Sequence, residues 1–416
     1  MSEETGKEKK IPGLPVTLES RLLSLLKGTD KVILEGVELE LGELELFLPL
    51  NLNGPQVLHQ SVEKALPQKE RHFPDSLVDM QFLPVQEKYP GRVREVLLGA
   101  TAKNGGTRSH SVTIGGSTST ALSSLANPYS NPPLISLDVF DMHVPLPRAL
   151  RANIEDVMDD PGEWAKRNVE KFGADLVTIH LMSTDPLISD TSPRSASETV
   201  ECILSAVKVP VIVGGCGDPK KDALVFSEIA EMASGERLLF NSVTLEMAEA
   251  RTLEPLIEKV KEHEHTVLGF TGLDLNRAKE LNRRLYDSLS PDQIVMDLTT
   301  VALGYGLEYS FTIHERARLL ALIGDTELQH PTISASTNAW SAREAWMKMD
   351  PLYGDTAIRG PLWETVNVCT LLLAGVDLFL MMHPAAISTV REIVNSYKQG
   401  ISKVPAHIYD WTGMKT

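Results

Sequence analysis

After Asn131 one unit recurs along the chain: a short run of β-branched and leucine residues, a polar end, a turn, then an amphipathic helical pattern. Asp175–Pro186, DLVTIHLMSTDP, shows it most plainly. Leu176, Val177, Thr178 and Ile179 form the apolar run, and His180, Ser183, Thr184 and Asp185 crowd its end. Glu163 to Phe172 before it has a helical pattern closed by Gly173, and Pro186 turns the chain after it. Near-continuous apolar runs of this length suit parallel strands covered on both faces.

Eight such runs can be counted: Leu134–Asp141, Asp175–Met182, Pro210–Gly215, Arg237–Val243, His265–Thr271, Gln293–Thr299, Pro331–Thr337 and Asp377–His383. Helical patterns separate them over Ser195–Val207, Ala223–Ala233, Leu245–His263, Asp274–Ser288, Thr312–Leu322, Leu362–Ala374 and Ala385–Lys398. Eight strands with no central reversal predict an α/β fold, a TIM (β/α)8 barrel over residues 131–400; a doubly wound open sheet is the rival.

Residues 1–130 read as an N-terminal α+β extension and 401–416 as a tail. Met1–Lys10 is expected to be disordered. Leu18, Leu22, Leu25 and Leu26 suggest a short helix ended by Gly28, Lys31–Leu50 a half-exposed hairpin, and Val62 the middle of another helical piece. Val93–Leu98 is a candidate strand. Asn104–Thr120, NGGTRSHSVTIGGSTST, is a phosphate-cradling loop in one reading, and in the other a hairpin that plugs the barrel's base or joins it to the extension. It lacks the GxxxxGK[ST] order, which favours the hairpin.

A net charge of -16 argues against nucleic acid as a partner. The charged start is no signal peptide, no apolar run is long enough to span a bilayer, and Cys202, Cys216 and Cys369 are scattered. A cytoplasmic protein is expected.

Chemistry in such a barrel belongs to the C-terminal ends of the strands. Those ends supply Asp138, Asp141, His180, Ser183, Thr184, Asp185, Gly214, Gly215, Gly217, Asp218, Asn241, Ser242, Thr271, Asp274, Asp297, Thr299, Thr300, Ser334, Ser336, Thr337, Asn338 and His383. Hydroxyls and amides outnumber charges, which suits holding a large polar ligand better than attacking a small one. No lysine falls on a strand, so a Schiff-base aldolase is set aside. His180 and His383 with Asp297 could ligate a metal, but a strand-end histidine is more often structural. Asp138 and Asp297 could act as acid and base, or pair with neighbours. The glycines of GGCGDP, Gly215 among them, read as places where a ligand approaches the backbone. His263 and His265 enter the fifth strand from the base and read as solvated imidazoles at a helix end.

LDVFDM (Leu137–Met142), PGEWAKRNVEKFGADLVTIHLMSTDP (Pro161–Pro186), DLTTVALGYGLEYS (Asp297–Ser310), STNAWSAREAW (Ser336–Trp346), RGPLWE (Arg359–Glu364) and MMHP (Met381–Pro384) carry a resemblance that spans the barrel. It is to the delta subunit of the archaeal acetyl-CoA decarbonylase/synthase complex, which corresponds to the small subunit of the corrinoid iron–sulfur protein. The chain departs from that family at GGSTSTAL, where Ser117 stands in place of a glutamate.

The resemblance implies a TIM barrel paired with a larger corrinoid- and [4Fe–4S]-bearing subunit, with the corrinoid against the barrel's top. The pair would pass a methyl group between a methyl-tetrahydropterin, with its methyltransferase, and acetyl-CoA synthase/CO dehydrogenase. The residues expected to meet the corrinoid are Asp138, His180, Thr184, Gly215, Asn241, Thr271, Asp297, Thr299, Ser336, Thr337, Asn338 and His383. Three isolated cysteines cannot supply the usual four thiolates of a cluster, so no iron–sulfur cluster is expected on this chain. Asp141 and His143 begin the corrinoid motif DxHxxG, but Leu146 stands where its glycine would be, so no cobalt ligand is expected from it. The alternative is a self-sufficient pterin-dependent methyltransferase in which Asp138, Asn241 and Asp297 grip the pterin.

Overall fold

The computed structural model describes residues 88–121 and 131–398. The expectations placed on residues 1–87 and on the tail after 400 lie outside the described residues.

All eight expected strands form, and they close. They are β3 (Leu134–Phe140), β4 (Leu176–His180), β5 (Val211–Gly214), β6 (Leu239–Val243), β7 (Thr266–Phe270), β8 (Ile294–Asp297), β9 (Thr332–Ala335) and β10 (Leu378–Met381). Every pairing is parallel, and β10 returns to β3 in the register Leu378↔Leu134 to Met381↔Leu137. That pairing excludes the open sheet.

Strand alternation sorts the residues. Val177 and Ile179 pack outward with Trp164, Val200 and Ile203 of the helices. Leu176 packs inward with Ile212, Leu239, Leu268, Val295, Ile333, Leu378 and Leu380. This inner layer fills the lower barrel as a packed core.

Eight principal helices follow the strands: α1 (Pro161–Glu170), α2 (Pro193–Ala206), α3 (Pro219–Met232), α4 (Leu253–Glu262), α5 (Leu275–Leu285), α6 (Leu307–Ile323), α7 (Thr356–Ala374) and α8 (Pro384–Lys398). The first three open two to four residues earlier than the apolar pattern suggested. Asp160, Ser192 and Asp218 are N-caps, each followed by a proline at the first helical position, where its missing N–H costs nothing. The single helix expected over Leu245–His263 is instead a short piece, Leu245–Glu249, and α4; Arg251, at φ 60, breaks it. No helix among the described residues is long and apolar enough to cross a membrane.

β1 (Glu95–Leu98) and β2 (Val112–Gly115) form an antiparallel ribbon. Val96, Leu98 and Ile114 join the inner apolar layer from below, so the glycine-rich stretch is a basal plug. Gly115, at φ 86, could carry no side chain, since a Cβ would lie 2.1 Å from the Arg94 carbonyl oxygen. Ser117 is buried at this base, and its carbonyl accepts from Val93 N–H at 2.9 Å.

Arg108 ties the loop of the ribbon to the barrel. Its buried guanidinium donates to Glu236 at 2.9 Å and to the carbonyls of Val207 at 2.6 Å and Leu204 at 2.7 Å. Arg108→Met should lower the unfolding free energy by about 3 kcal/mol, because it leaves a buried carboxylate and carbonyls unpaired. Urea unfolding of Arg108→Met and of Arg108→Met/Glu236→Leu checks this: the double variant should be the more stable, and equal losses would count against it.

Candidate functional site

The polar groups gather above the apolar layer. Asp138 on β3 and His180 on β4 meet with Nε2 of the histidine 3.2 Å from Oδ1 of the aspartate. The imidazole stacks on Phe140 with ring centroids 5.2 Å apart, and Gly214 leaves it room, since a Cβ there would lie 3.0 Å from Nδ1. Burial works against a charge on His180, but Asp138, helped by Asp141, outweighs it and lifts the pKa above the ordinary value. Below this pair, Ser136 and Thr178 share a hydrogen bond of 2.7 Å.

Across the mouth, Asp297 ends β8. Its Oδ1 accepts the Thr299 N–H at 2.8 Å, and Thr299 Oγ1 donates to the Thr271 carbonyl at 3.0 Å. These bonds hold Thr299 at φ 82, a left-handed conformation that costs a β-branched residue energy. Burial pushes the Asp297 carboxyl up to about 6. Thr271 Oγ1 is buried with no hydrogen-bond partner among the described residues. Asn241, half-buried, ends the inner row of β6.

Other expected residues also make contacts within the chain. Thr184 is fully buried and caps its own turn by donating to the Leu181 carbonyl at 2.7 Å. Ser336 is buried in a hydroxyl chain, 2.8 Å from Ser334, which accepts from Thr300 at 2.9 Å. Thr337 and Asn338 lie at the lip, where Asn338 donates to the Thr300 carbonyl at 2.9 Å. His383 is buried on Trp340 with ring centroids 5.9 Å apart, and its Nδ1 accepts from Ala385 N–H at 3.1 Å. Burial depresses its pKa to about 4. Gly215 has its open face filled by Asp222, whose Cγ would lie 2.3 Å from a Cβ. His265, read as solvated, is fully buried, with Nδ1 accepting from Leu238 N–H at 3.1 Å and Nε2 3.0 Å from the Ala230 carbonyl. No group of three metal-ligating side chains occurs among the described residues.

Two features escape a reading of the sequence. Glu364, from the middle of α7, is fully buried at the mouth, and its oxygens accept the N–H groups of Met382 at 2.6 Å and His383 at 3.0 Å. Burial drives its carboxyl up to about 8. The one acidic residue of α7 is the available signal. The second feature is an apolar rim. Leu187, Ile188, Phe270, Leu273, Tyr305, Trp346, Met347, Leu352 and Tyr353 are exposed on or beside the loops that follow β4, β7, β8 and β9, and Tyr309, Ile358 and Leu362 in the first two turns of the helices after β8 and β9; Leu224, Leu319 and Ile323 are exposed farther along α3 and α6. Side-chain identity cannot tell an exposed leucine from a buried one; only the loop's path does.

Cavities of about 570 Å³ at the base and about 480 Å³ between α5 and α6 are not lined by Asp138, His180, Asn241 or Asp297. The mouth is thus a polar floor inside an apolar rim.

A carboxyl whose folded pKa is raised stabilises the fold below its unfolded pKa and loses that contribution as pH rises through the folded value. For Glu364 the window runs from 4.5 to about 8. Stability should fall across it by up to about 1.4 kcal/mol per pH unit. Thermal unfolding at several pH values checks this. Glu364→Gln should flatten the slope, and an unchanged slope would remove Glu364 as its source.

A family model described as CO dehydrogenase/acetyl-CoA synthase delta subunit matches residues 95–382. The acetyl-CoA decarbonylase/synthase complex subunit delta of Archaeoglobus fulgidus is 46% identical over 354 residues, 83% of this chain and 77% of that one. The subunit delta of Methanopyrus kandleri is 40% identical over 419 residues, 99% of each. Among solved structures, a dihydropteroate synthase from Thermus thermophilus in complex with 6HMPPP aligns at 17% identity and a TM-score of 0.43, over 74% of this chain and 99% of that one. Nothing about ligands follows from that level of likeness. The family model and the relatives span the barrel and its basal ribbon, and the chain belongs to the acetyl-CoA decarbonylase/synthase delta subunit family.

Proposed function

We propose that this delta subunit is the small member of a corrinoid-carrying pair. Its barrel mouth covers one face of a corrinoid held with a larger, [4Fe–4S]-bearing subunit. The pair passes a methyl group between a methyl-tetrahydropterin, with its methyltransferase, and the acetyl-CoA synthase/CO dehydrogenase subunits. The setting is cytoplasmic, with neither nucleic acid nor membrane as partner.

The apolar rim carries this reading. Leu187 is 94% exposed and Leu352 87%, far beyond what a chain without partners needs at one end of a barrel. The excursion after β9 is held rigid from beneath: buried Arg359 donates to the carbonyls of Glu344 at 2.7 Å and Met347 at 2.5 Å. Trp346, Met347, Leu352 and Tyr353 are therefore presented on a fixed platform. Names of the relatives as subunits of a complex point the same way.

The floor fits the amide-bearing edge of a corrin ring. Thr271 Oγ1 has no partner among the described residues, and Asn241 on β6 and Thr337 after β9 are half-buried at the same end of the barrel. Such groups exchange hydrogen bonds with primary amides at little cost in desolvation. When bound, the corrinoid supplies the centre that carries the methyl group. The chain's own residues orient and shield: Asp138 holds His180 in place, Phe140 packs its ring, and the rim excludes water.

Purified alone, the chain should contain neither cobalt nor iron in stoichiometric amount; co-expressed with its larger partner, the pair should contain both. Metal analysis decides, and stoichiometric cobalt or iron in the single chain would overturn the reading. Thr337→Ala and Asn338→Ala should weaken the pair or its hold on the corrinoid by about tenfold, or about 1.4 kcal/mol. His263→Ala, at the base, should leave both unchanged. Equal losses from mouth and base, measured by calorimetric titration of the pair, would overturn the reading.

A further inference from the structure

In a TIM barrel, phosphate is commonly bound by backbone N–H groups in the loops after the seventh and eighth strands and at a helix N-terminus. In this chain the N–H groups of Met382, His383 and Ala385, just after the last strand, are taken. Glu364 accepts from Met382 at 2.6 Å and His383 at 3.0 Å, immediately before α8, and Ala385 N–H goes to His383 Nδ1 at 3.1 Å.

The other glycine-rich turn of the mouth is filled in the same way. Cys216 N–H donates to Asp222 Oδ1 at 2.8 Å and Gly217 N–H to Oδ2 at 2.8 Å, with the Cys216 thiol 3.2 Å from Oδ1. The first N–H groups of α3 are held by Asp218, from Lys220 at 3.0 Å and Lys221 at 2.7 Å. Asp222 is buried, and the groups that donate to it are backbone N–H groups and a thiol. Lys221 reaches away to Asp190 on the preceding loop at 2.5 Å. Two N–H groups converging on one carboxylate form the geometry of an oxyanion nest. The absent side chain of Gly215 makes the space that Asp222 occupies. Elsewhere at the mouth a carboxylate takes a single backbone N–H: Asp141 accepts Ser183 N–H at 3.0 Å and Asp297 accepts Thr299 N–H at 2.8 Å.

We infer that Glu364 and Asp222 are specificity-determining residues: internal carboxyl groups that occupy paired backbone N–H groups in two turns of the mouth, Glu364 after the eighth strand and Asp222 after the third, so that these turns are closed to phosphate and meet a phosphate-free, neutral polar face of the ligand. The exclusion works by occupying hydrogen-bond donors and volume, so it does not need either group to be charged. A ligand that carries phosphate elsewhere must turn that part away from the barrel. The inference deepens the reading of the mouth as a ligand-covering surface and rests on it for its purpose.

The test uses the full chain and inorganic phosphate, with chloride at matched ionic strength as control, read by thermal unfolding and by amide chemical shifts. The parent should show no phosphate-specific response. Asp222→Ala should gain one, with affinity at least tenfold above the parent and shifts at Cys216 and Gly217. Glu364→Ala should gain one at Met382 and His383. Phosphate-specific shifts at these amides in the parent would overturn the inference, and that arm needs no variant to fold. So would folded variants of both kinds that remain silent. The assay contains no partner and no corrinoid, so its failure is distinct from failure of the proposed pairing, which metal analysis reads.

Discussion

Everything at this mouth depends on closure of the sheet. Because β10 pairs with β3, no strand edge is left to be covered, and each strand must send alternate residues into a shared interior. The lower interior is filled by Leu176, Ile212, Leu239 and their neighbours, capped from beneath by Val96, Leu98 and Ile114. Polar residues can then reach solvent only from the upper end. Closure brings Asp138, His180, Asn241 and Asp297, spread over a long stretch of sequence, around one opening.

That opening holds buried carboxyl groups at a cost in desolvation, and the structure offsets it locally. His180 faces Asp138, Thr299 N–H reaches Asp297, and paired N–H groups hold Asp222 and Glu364. For Asp297 and Glu364, burial still wins and their pKa values rise. Buried acids are often catalytic, but Asp297 accepts from a backbone N–H of its own loop and Glu364 from those at the end of β10, which fits a role in shaping those turns.

The strands are legible because each buried run is rich in β-branched and leucine residues and bounded by turn signals, and their polar ends mark the mouth. Helix starts at Asp160, Ser192 and Asp218 are harder to place, because an aspartate or serine followed by proline serves turns and N-caps equally. Among the expected contact residues, Thr184 and Ser336 are buried and bonded within the chain, and half-buried Gly215 packs against Asp222. A short polar side chain satisfies a neighbouring carbonyl or a ligand with the same atoms, and only the path of the loop decides which.

Local composition by itself determined the strand–helix alternation, the strand count and the face on which polar chemistry would gather, because these follow from periodicity and from which residues tolerate burial. Motif resemblance along the barrel added the family. Tertiary structure alone decided that Glu364 crosses from α7 to the end of β10, that Asp222 folds back onto the turn before its own helix, and that loops far apart in the sequence expose apolar residues at the same end of the barrel. Each of these is a meeting between residues whose separation the sequence records and whose proximity it does not.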